Sequence, residues 1–295
     1  MRNTRRPIWA SAGAGLLAWA CSGNPAQAPP PPASRPNVLL VTIDTLRADH
    51  LGCYGYFRDT SPVLDALAAE SVFFERCISP IATTLPAHTS LLTGAYPIEH
   101  GVLANVADGG QYFVPAPGLR SLAQVAQAAG YATAAFVSSP PLHGSTGISA
   151  GFGTFGDVEV PKRPAAATNA EVFPWIDEEL REPFFLWVHY FDPHLPRRPP
   201  APFKDMYVTD EALQRDLAAK GAAESVEMSD KRTAVATTEV NKYDGEVRFA
   251  DDELGKLFDR LRDRGLWERT SVVVTSDHGE ALCQHGMAGH GYVWD

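Results

Sequence analysis

Four short stretches of this chain carry side chains able to hold a cation or transfer a group. Asn37-Val-Leu-Leu-Val-Thr-Ile-Asp44 is an apolar run that ends on an acid. Thr83-Thr-Leu-Pro-Ala-His88 sets the Thr84 hydroxyl just ahead of a proline. Asp192 and His194 follow a second apolar run, Phe184 to Tyr190. Asp277-His278 follows a third, Ser271 to Thr275, with His290 further on. An acid after a buried strand serves as a cap or turn former as readily as a ligand, so Asp44 alone decides nothing. Asp277-His278 says more, because a hard carboxylate oxygen beside an imidazole nitrogen suits a divalent metal. Thr84 read alone opens a helix, with Pro86 in its first turn.

Such residues act together only if the fold delivers them to one place. The three apolar runs read as buried strands, each releasing polar residues at its C-terminal end. Val72–Cys77 and Tyr131–Val137 read as further strands. Ser61–Ala69, Leu119–Ala129 and Asn169–Leu180 read as helices. Val240–Arg264 is the clearest helix: Val247, Leu254, Leu257, Phe258 and Leu261 recur at helical spacing, and Gly265 ends it. Alternating strands and helices predict an α/β fold with a largely parallel central sheet flanked by helices. Ligands of such sheets bind beyond the carboxyl ends of the strands, where Asp44, Asp192/His194 and Asp277/His278 all fall. Residues 200–238 are polar and weakly patterned, and read as a surface insertion that could form part of a lid.

The order of these stretches resembles the sulfatase family of the alkaline phosphatase superfamily. The resemblance runs from Asn37 to Asp295. It is carried by Val41-Thr-Ile-Asp-Thr-Leu-Arg-Ala-Asp-His-Leu-Gly-Cys-Tyr-Gly55, Leu85-Pro-Ala-His-Thr-Ser-Leu-Leu-Thr-Gly94 and Thr275-Ser-Asp-His-Gly-Glu280. It implies an alkaline phosphatase-like fold and a metal-dependent hydrolase or transferase of sulfate or phosphate esters. Sulfatases proper carry Cys or Ser as nucleophile in Cys/Ser-x-Pro-x-Arg and oxidise it to formylglycine. Here the aligned residues are Thr84 to His88. Oxidised threonine is a ketone, so no formylglycine is expected. Asp44, Asp277 and His278, with Thr84 as a fourth ligand, are the implied metal set. A His ligand moves preference from Ca²⁺ toward Mn²⁺ or Zn²⁺, with Ca²⁺ still possible. Thr84 is then the nucleophile. His194 and His290 hold the transferred oxygens or protonate the leaving group, and His88 orients the Thr84 loop or meets substrate. A threonine adduct is released only by attack at the central atom, which favours phosphoryl over sulfuryl substrates.

Alternatives stay open. Asp192 and His285 could serve a second metal, as in two-metal phosphodiesterases and pyrophosphatases of the superfamily, or merely hydrogen-bond around the site. A non-catalytic envelope lipoprotein on the same scaffold is the reading from another class. His50, His100, His143 and His189 are expected to be structural, and Cys283 is not at a ligand position of the family. Implied partners are small-molecule, glycan or lipid-headgroup esters.

The rest of the chain sets the context. Its 295 residues are 45% hydrophobic and 20% charged, which excludes disorder, collagen and coiled coil. The net charge is -10 with no dense Lys/Arg cluster, which argues against a nucleic-acid partner. Arg2, Arg5 and Arg6 precede the apolar run Ile8–Ala20, which is too short for a membrane span and reads as an export signal. Two cleavage sites compete: before Cys21, as in a lipoprotein, although Trp19 is bulky there, and after Ala28, where Pro29 follows. The preferred reading is 1–21 lipoprotein-type signal peptide, 22–36 Pro-rich tether and 37–295 catalytic domain. It predicts an exported protein, periplasmic or lipid-anchored at the cell envelope. Four cysteines (21, 53, 77, 283) exclude a disulfide scaffold. The family continues past this chain's last residues with further strands and a smaller subdomain. The domain is therefore expected to be truncated, with the C-terminal subdomain missing.

Overall fold

The computed structural model describes residues 35–106, 110–111, 114–158 and 162–291. The expected signal peptide, Cys21 and nearly all of the tether lie outside these residues. From Pro36 onward the chain forms one compact unit.

In chain order the elements are β1 (Asn37–Ile43), α1 (Pro62–Ala69), α2 (Thr84–Thr93), α3 (Pro97–His100), α4 (Leu122–Ala128), β2 (Ala132–Phe136) and β3 (Thr154–Gly156). There follow α5 (Ala165–Pro174), β4 (Phe184–Tyr190), α6 (Glu211–Ala219), β5 (Ser225–Glu227), β6 (Thr233–Val235), α7 (Ala236–Asp263) and β7 (Thr270–Ser276). Five strands form a parallel sheet in the order β3-β2-β4-β1-β7. The fold is thus the α/β arrangement with a parallel central sheet and flanking helices.

Register is what matters for the site. Ile43, the last residue of β1, pairs with Tyr190 of β4 on one side and Ser276 of β7 on the other. The residues that follow, Asp44, Phe191 and Asp277, therefore leave the sheet at one level. Every residue of β4 is buried, as its unbroken apolar run demands. Side chains alternate between two cores. Leu39, Val41, Ile43, Leu186 and Val188 join residues of α5 and α7. Leu40, Phe185 and Trp187 join Leu85 and Leu92 of α2 and Ala123 of α4. On α7 all five expected apolar positions are buried in the first core.

Several expectations need correction. Val72–Cys77 is not a strand: among the described residues it pairs with nothing, and Val72 is 82% exposed. Apolar content alone cannot make a strand without a partner edge. The run Ser271–Thr275 is a strand but not a buried one, because β7 ends the sheet and shows alternate exposure. Asn169–Leu180 is half of its expected helix; the helix starts at Ala165 and passes at Trp175–Glu179 into a π-helical turn. Residues 200–238, read as a surface insertion, are largely exposed but carry α6 and the antiparallel β5–β6 pair. Phe203, Leu213, Leu217 and Ala234 from this segment belong to the main core.

Candidate active site and metal centre

Three strand ends and one helix start build the site. Asp44 follows β1 and is completely buried. The chain then turns at Thr45, which holds φ 56, a left-handed conformation unusual for a β-branched residue. That turn aims Thr45 N–H at Asp277 Oδ1, 3.1 Å away, and its carbonyl accepts from the Tyr243 hydroxyl at 2.7 Å. Asp277 Oδ1 also accepts from His278 N–H at 2.8 Å. Two backbone donors thus hold one oxygen of Asp277 and leave Oδ2 without a hydrogen-bond partner. Both oxygens of Asp44 are likewise unpartnered and buried.

The imidazole of His278 is oriented by its own backbone. Nδ1 lies 2.9 Å from the Gly279 carbonyl, an acceptor, so the proton is assigned to Nδ1 and the Nε2 lone pair is free. Nε2 lies 3.4 Å from Asp277 Oδ2 and 3.5 Å from Thr84 Oγ1. Ligand atoms of Asp44, Asp277 and His278 all fall within 4.8 Å of one another. A buried group of carboxylate oxygens whose nearest donors, the imidazoles of His88 and His189, stand 3.5 Å away costs several kcal/mol unless a cation or proton compensates. The donor set of two carboxylates and one imidazole lone pair therefore fits a divalent cation.

Thr84 is the first residue of α2, buried, with its hydroxyl at this cluster. The helix N-terminus favours an anion nearby. His88, one turn on, presents Nδ1 to the Thr84 carbonyl at 2.8 Å and to Asp277 Oδ2 at 3.5 Å. Its Nε2 meets Thr42 Oγ1 at 3.0 Å, and that hydroxyl accepts from Trp187 Nε1–H at 3.0 Å. Burial pushes the His88 imidazole down to about 4, against the pull of Asp277, so it stays neutral. It braces the Thr84 turn and has no free nitrogen.

Two further histidines border the cluster. The His194 ring stacks on Phe191 at 4.2 Å, and its Nδ1 meets the Leu195 carbonyl at 2.5 Å, which frees Nε2. Burial pushes its pKa down. The His290 ring lies 4.6 Å from that of His278 and 4.8 Å from that of His194. Burial opposes its charge, but Glu280 Oε1 at 3.6 Å outweighs that and holds the imidazole above its ordinary range. Glu280 is anchored by Arg197 Nη2 at 2.7 Å. Burial works against Asp44 ionising, yet the imidazoles of His189, His194 and His278 hold it well below the usual carboxylate range.

Of the residues singled out from the sequence, Asp44, Asp277 and His278 converge, the Thr84 hydroxyl lies beside His278, and the rings of His194 and His290 border the group. Asp192 does not join it: its Oδ2 accepts from Ala165 N–H at 2.9 Å. Among the described residues a single group of three metal-ligating side chains converges, and neither Asp192 nor His285 belongs to it. Cys283 is fully buried against Ala234, and burial pushes its thiol up to about 11. Cys53, Cys77 and Cys283 are all free thiols.

Sequence reasoning misses four contributors. His189 was set aside as structural, yet its Nε2 lies 3.5 Å from Asp44 Oδ2. Its place on β4, paired with Thr42 of β1, was the available signal. Thr45 stands inside the Val41–Gly55 stretch with nothing in its residue type to mark the turn. Arg197 and Glu280 were not considered, and no spacing rule links them.

A sulfatase family model matches residues 36–295. The ulvan-active sulfatase of Formosa agariphila is 28% identical over 279 residues, covering 84% of this chain and 51% of that protein. The multifunctional alkaline phosphatase superfamily protein PehA of Trinickia caryophylli is 25% identical over 346 residues, covering 87% of this chain and 65% of that protein. Among solved structures, the phosphonate monoester hydrolase of Agrobacterium radiobacter matches in fold with a TM-score of 0.68 at 23% identity. That match covers 88% of this chain and 66% of the other. The chain spans about half to two thirds of the length of these relatives.

Proposed function

The chain belongs to the sulfatase family, and on that premise we propose that it is a hydrolase or transferase of sulfate or phosphate esters with Thr84 as its nucleophile. The observation that carries this reading is the Thr84 hydroxyl at a helix N-terminus, 3.5 Å from His278 Nε2 and beside unpartnered carboxylate oxygens of Asp44 and Asp277. Asp44, Asp277 and His278 would hold a divalent cation, Mn²⁺ or Zn²⁺ before Ca²⁺, with Thr84 as fourth ligand. Such a cation would acidify the Thr84 hydroxyl and neutralise charge on the transferred group.

The residues divide the remaining work. Thr84 Oγ1 releases its proton to solvent and attacks phosphorus or sulfur in line; its bond to the central atom forms as the bond to the ester oxygen breaks. His290, kept charged by Glu280, gives the leaving oxygen its proton. His194, neutral with a free Nε2, accepts the proton of the water or acceptor alcohol that cleaves the Thr84 adduct. His88 holds the Thr84 turn still. Threonine has no route to a formylglycine aldehyde, so release requires attack at the central atom, which favours phosphate and phosphonate esters over sulfate. The N-terminal pattern supports export with a lipid anchor at Cys21, a tether to residue 36 and a catalytic domain from Asn37.

The test is a panel of aryl sulfate, phosphate monoester, diester and phosphonate, with Mn²⁺, Zn²⁺ or Ca²⁺ added to metal-stripped protein. Thr84→Ala is expected to lower kcat at least 1,000-fold on the preferred ester, while Thr84→Ser retains turnover. Unchanged turnover in Thr84→Ala would remove the nucleophile assignment, and a clear sulfate preference would reverse the phosphoryl one.

A further inference from the structure

The segment that leaves His194 also walls a second concavity. A cavity of about 660 Å³ opens between residues 195–199 and the first turns of α7. Five of its lining side chains are cationic, Arg197, Arg198, Lys204, Arg232 and Lys242, against two acids, Asp205 and Glu239. That balance opposes the whole chain, whose net charge is -10. Pairing cancels part of that excess, since Arg197 also meets Glu280 at 2.7 Å, and leaves two cations without an acid. Glu239 serves both Arg197, at 2.9 Å, and Lys242, at 3.7 Å. Arg232 pairs with its sequence neighbour Asp230. Arg198 and Lys204, both exposed, have no carboxylate within salt-bridge distance among the described residues.

Cations gathered in a concave wall of low dielectric focus their field and raise the local concentration of anions. The volume falls in the range of small-molecule sites. The wall is continuous with the candidate active site, since the Leu195 carbonyl orients His194 and Arg197 anchors the Glu280 that faces His290.

We propose that this cavity binds a second anionic group of the substrate, so that the substrate is a soluble molecule with at least two phosphate, sulfate or carboxylate groups. The word substrate rests on the ester-transfer reading above; the binding site does not. A soluble ligand is argued from shape and charge. A concave site draws small anions in, whereas an anionic membrane surface would meet the acidic remainder of the chain.

The test is calorimetric binding of inorganic tripolyphosphate to the protein as purified, at low and high salt. The Arg198→Ala/Lys204→Ala double variant is expected to bind at least 10-fold more weakly. Affinity of the unmodified protein should fall steeply with salt. Asp277→Asn, which disables the candidate metal cluster, should still bind. Arg198→Glu, on the exposed rim, should bind more weakly than Arg198→Ala. Undiminished binding in the double variant overturns the site. So does binding lost in a folded Asp277→Asn protein, which would put the ligand at the metal cluster. Vesicles containing phosphatidylglycerol form the other arm: vesicle binding that depends on Arg198 and Lys204, without tripolyphosphate binding, overturns the soluble ligand. Because the readout is binding, absence of turnover on every ester would reject the catalytic reading and leave this one standing.

Discussion

Two buried histidines, His88 and His189, touch opposite acids of the cluster, and the partner of each nitrogen decides what each can do. His88 must donate from Nδ1, because a carbonyl faces it, and accept at Nε2 from Thr42. Thr42 links His88 to Trp187, so Thr42→Val, equal in shape, leaves a buried indole N–H and a buried imidazole nitrogen unmet. It is expected to cost about 2–4 kcal/mol, read from urea unfolding, with each stranded group contributing ~1–2 kcal/mol. His189 is the reverse case. Ser138 N–H points at its Nδ1 from 3.2 Å, so the proton is assigned to Nε2, which faces Asp44. At 3.5 Å that contact biases Asp44 toward its charged form without satisfying it, which keeps both carboxylate oxygens available. Partners of this kind orient metal ligands, and His189→Ala is expected to weaken Mn²⁺ or Zn²⁺ binding about 10- to 100-fold by titration calorimetry. Affinity equal to wild type would reduce His189 to packing. Asp44, Asp277 and His278 were legible from sequence because each follows a strongly patterned run, whereas Thr84 was legible only through the resemblance to the sulfatase family. His189 was not, since a histidine inside an all-buried strand looks like core, and only strand pairing reveals the acid beside it.

At the scale of elements, the site depends on segments being seated at fixed depth. α7 shows this at Gly245. A Cβ there would lie 2.8 Å from the Phe203 carbonyl and 3.0 Å from the Pro199 ring, in the segment that continues from His194. Alanine in place of a mid-helix glycine ordinarily stabilises by about 1 kcal/mol through backbone entropy. Here the contact is with backbone, which cannot swing away, so the sign reverses. Gly245→Ala is expected to lower the thermal midpoint and to lower kcat through displacement of His194; a raised midpoint would mean that the 199–203 segment yields freely. The same scale explains what could be read in advance. The α7 pattern repeats over seven turns, and β1 and β4 are unbroken apolar runs, so burial on one stripe or on both faces leaves a plain signature. Position within the sheet leaves none. β7 carries the apolar run Val272–Val274, yet it lies at the end of the sheet with Val273 49% exposed. Val72–Cys77 has a strand's composition but no edge to pair with. The turns around Thr45 and the 280–286 loop, where Leu282, Cys283 and His285 all adopt positive φ, carry no glycine at those positions and so gave no warning.

For the whole molecule, the balance of buried charge fixes how stability follows pH. Asp192 is buried behind β4; burial is the main cause that pushes its carboxyl up to about 7, and Glu246 adds to it while Lys162 opposes. Asp251 is pushed up to about 6, again first by burial, although the Val63 and Leu64 amides pull the other way. The ordinary value of both is 3.8, so between about pH 4 and pH 7 the folded state holds protons that the unfolded chain has released. Their contribution to stability therefore falls as pH rises through this window and levels above pH 7. Asp44 and Glu280 act with the opposite sign, since both are held below their ordinary values; their contribution is present above pH 4 and is lost as pH falls further. His88, held at about 4, and His194, also pushed down by burial, oppose Asp192 and Asp251 over this same window, so a substitution and not the position of the optimum isolates the Asp192 contribution. Asp192→Asn keeps an oxygen for the Ala165 amide and removes the charge, so it isolates one arm of the curve. Urea midpoints measured from pH 4 to pH 8 should then decline less steeply than in the unmodified chain, and the variant should be the more stable protein above pH 7. A slope unchanged by the substitution would mean that Asp192 is ionised in the fold, compensated by the Lys162 ammonium whose Nζ is bound to the Asp192 carbonyl at 2.7 Å and to Glu246 at 3.1 Å. That outcome would move the pH-dependent burden onto Asp251, where Asp251→Asn would have to remove it.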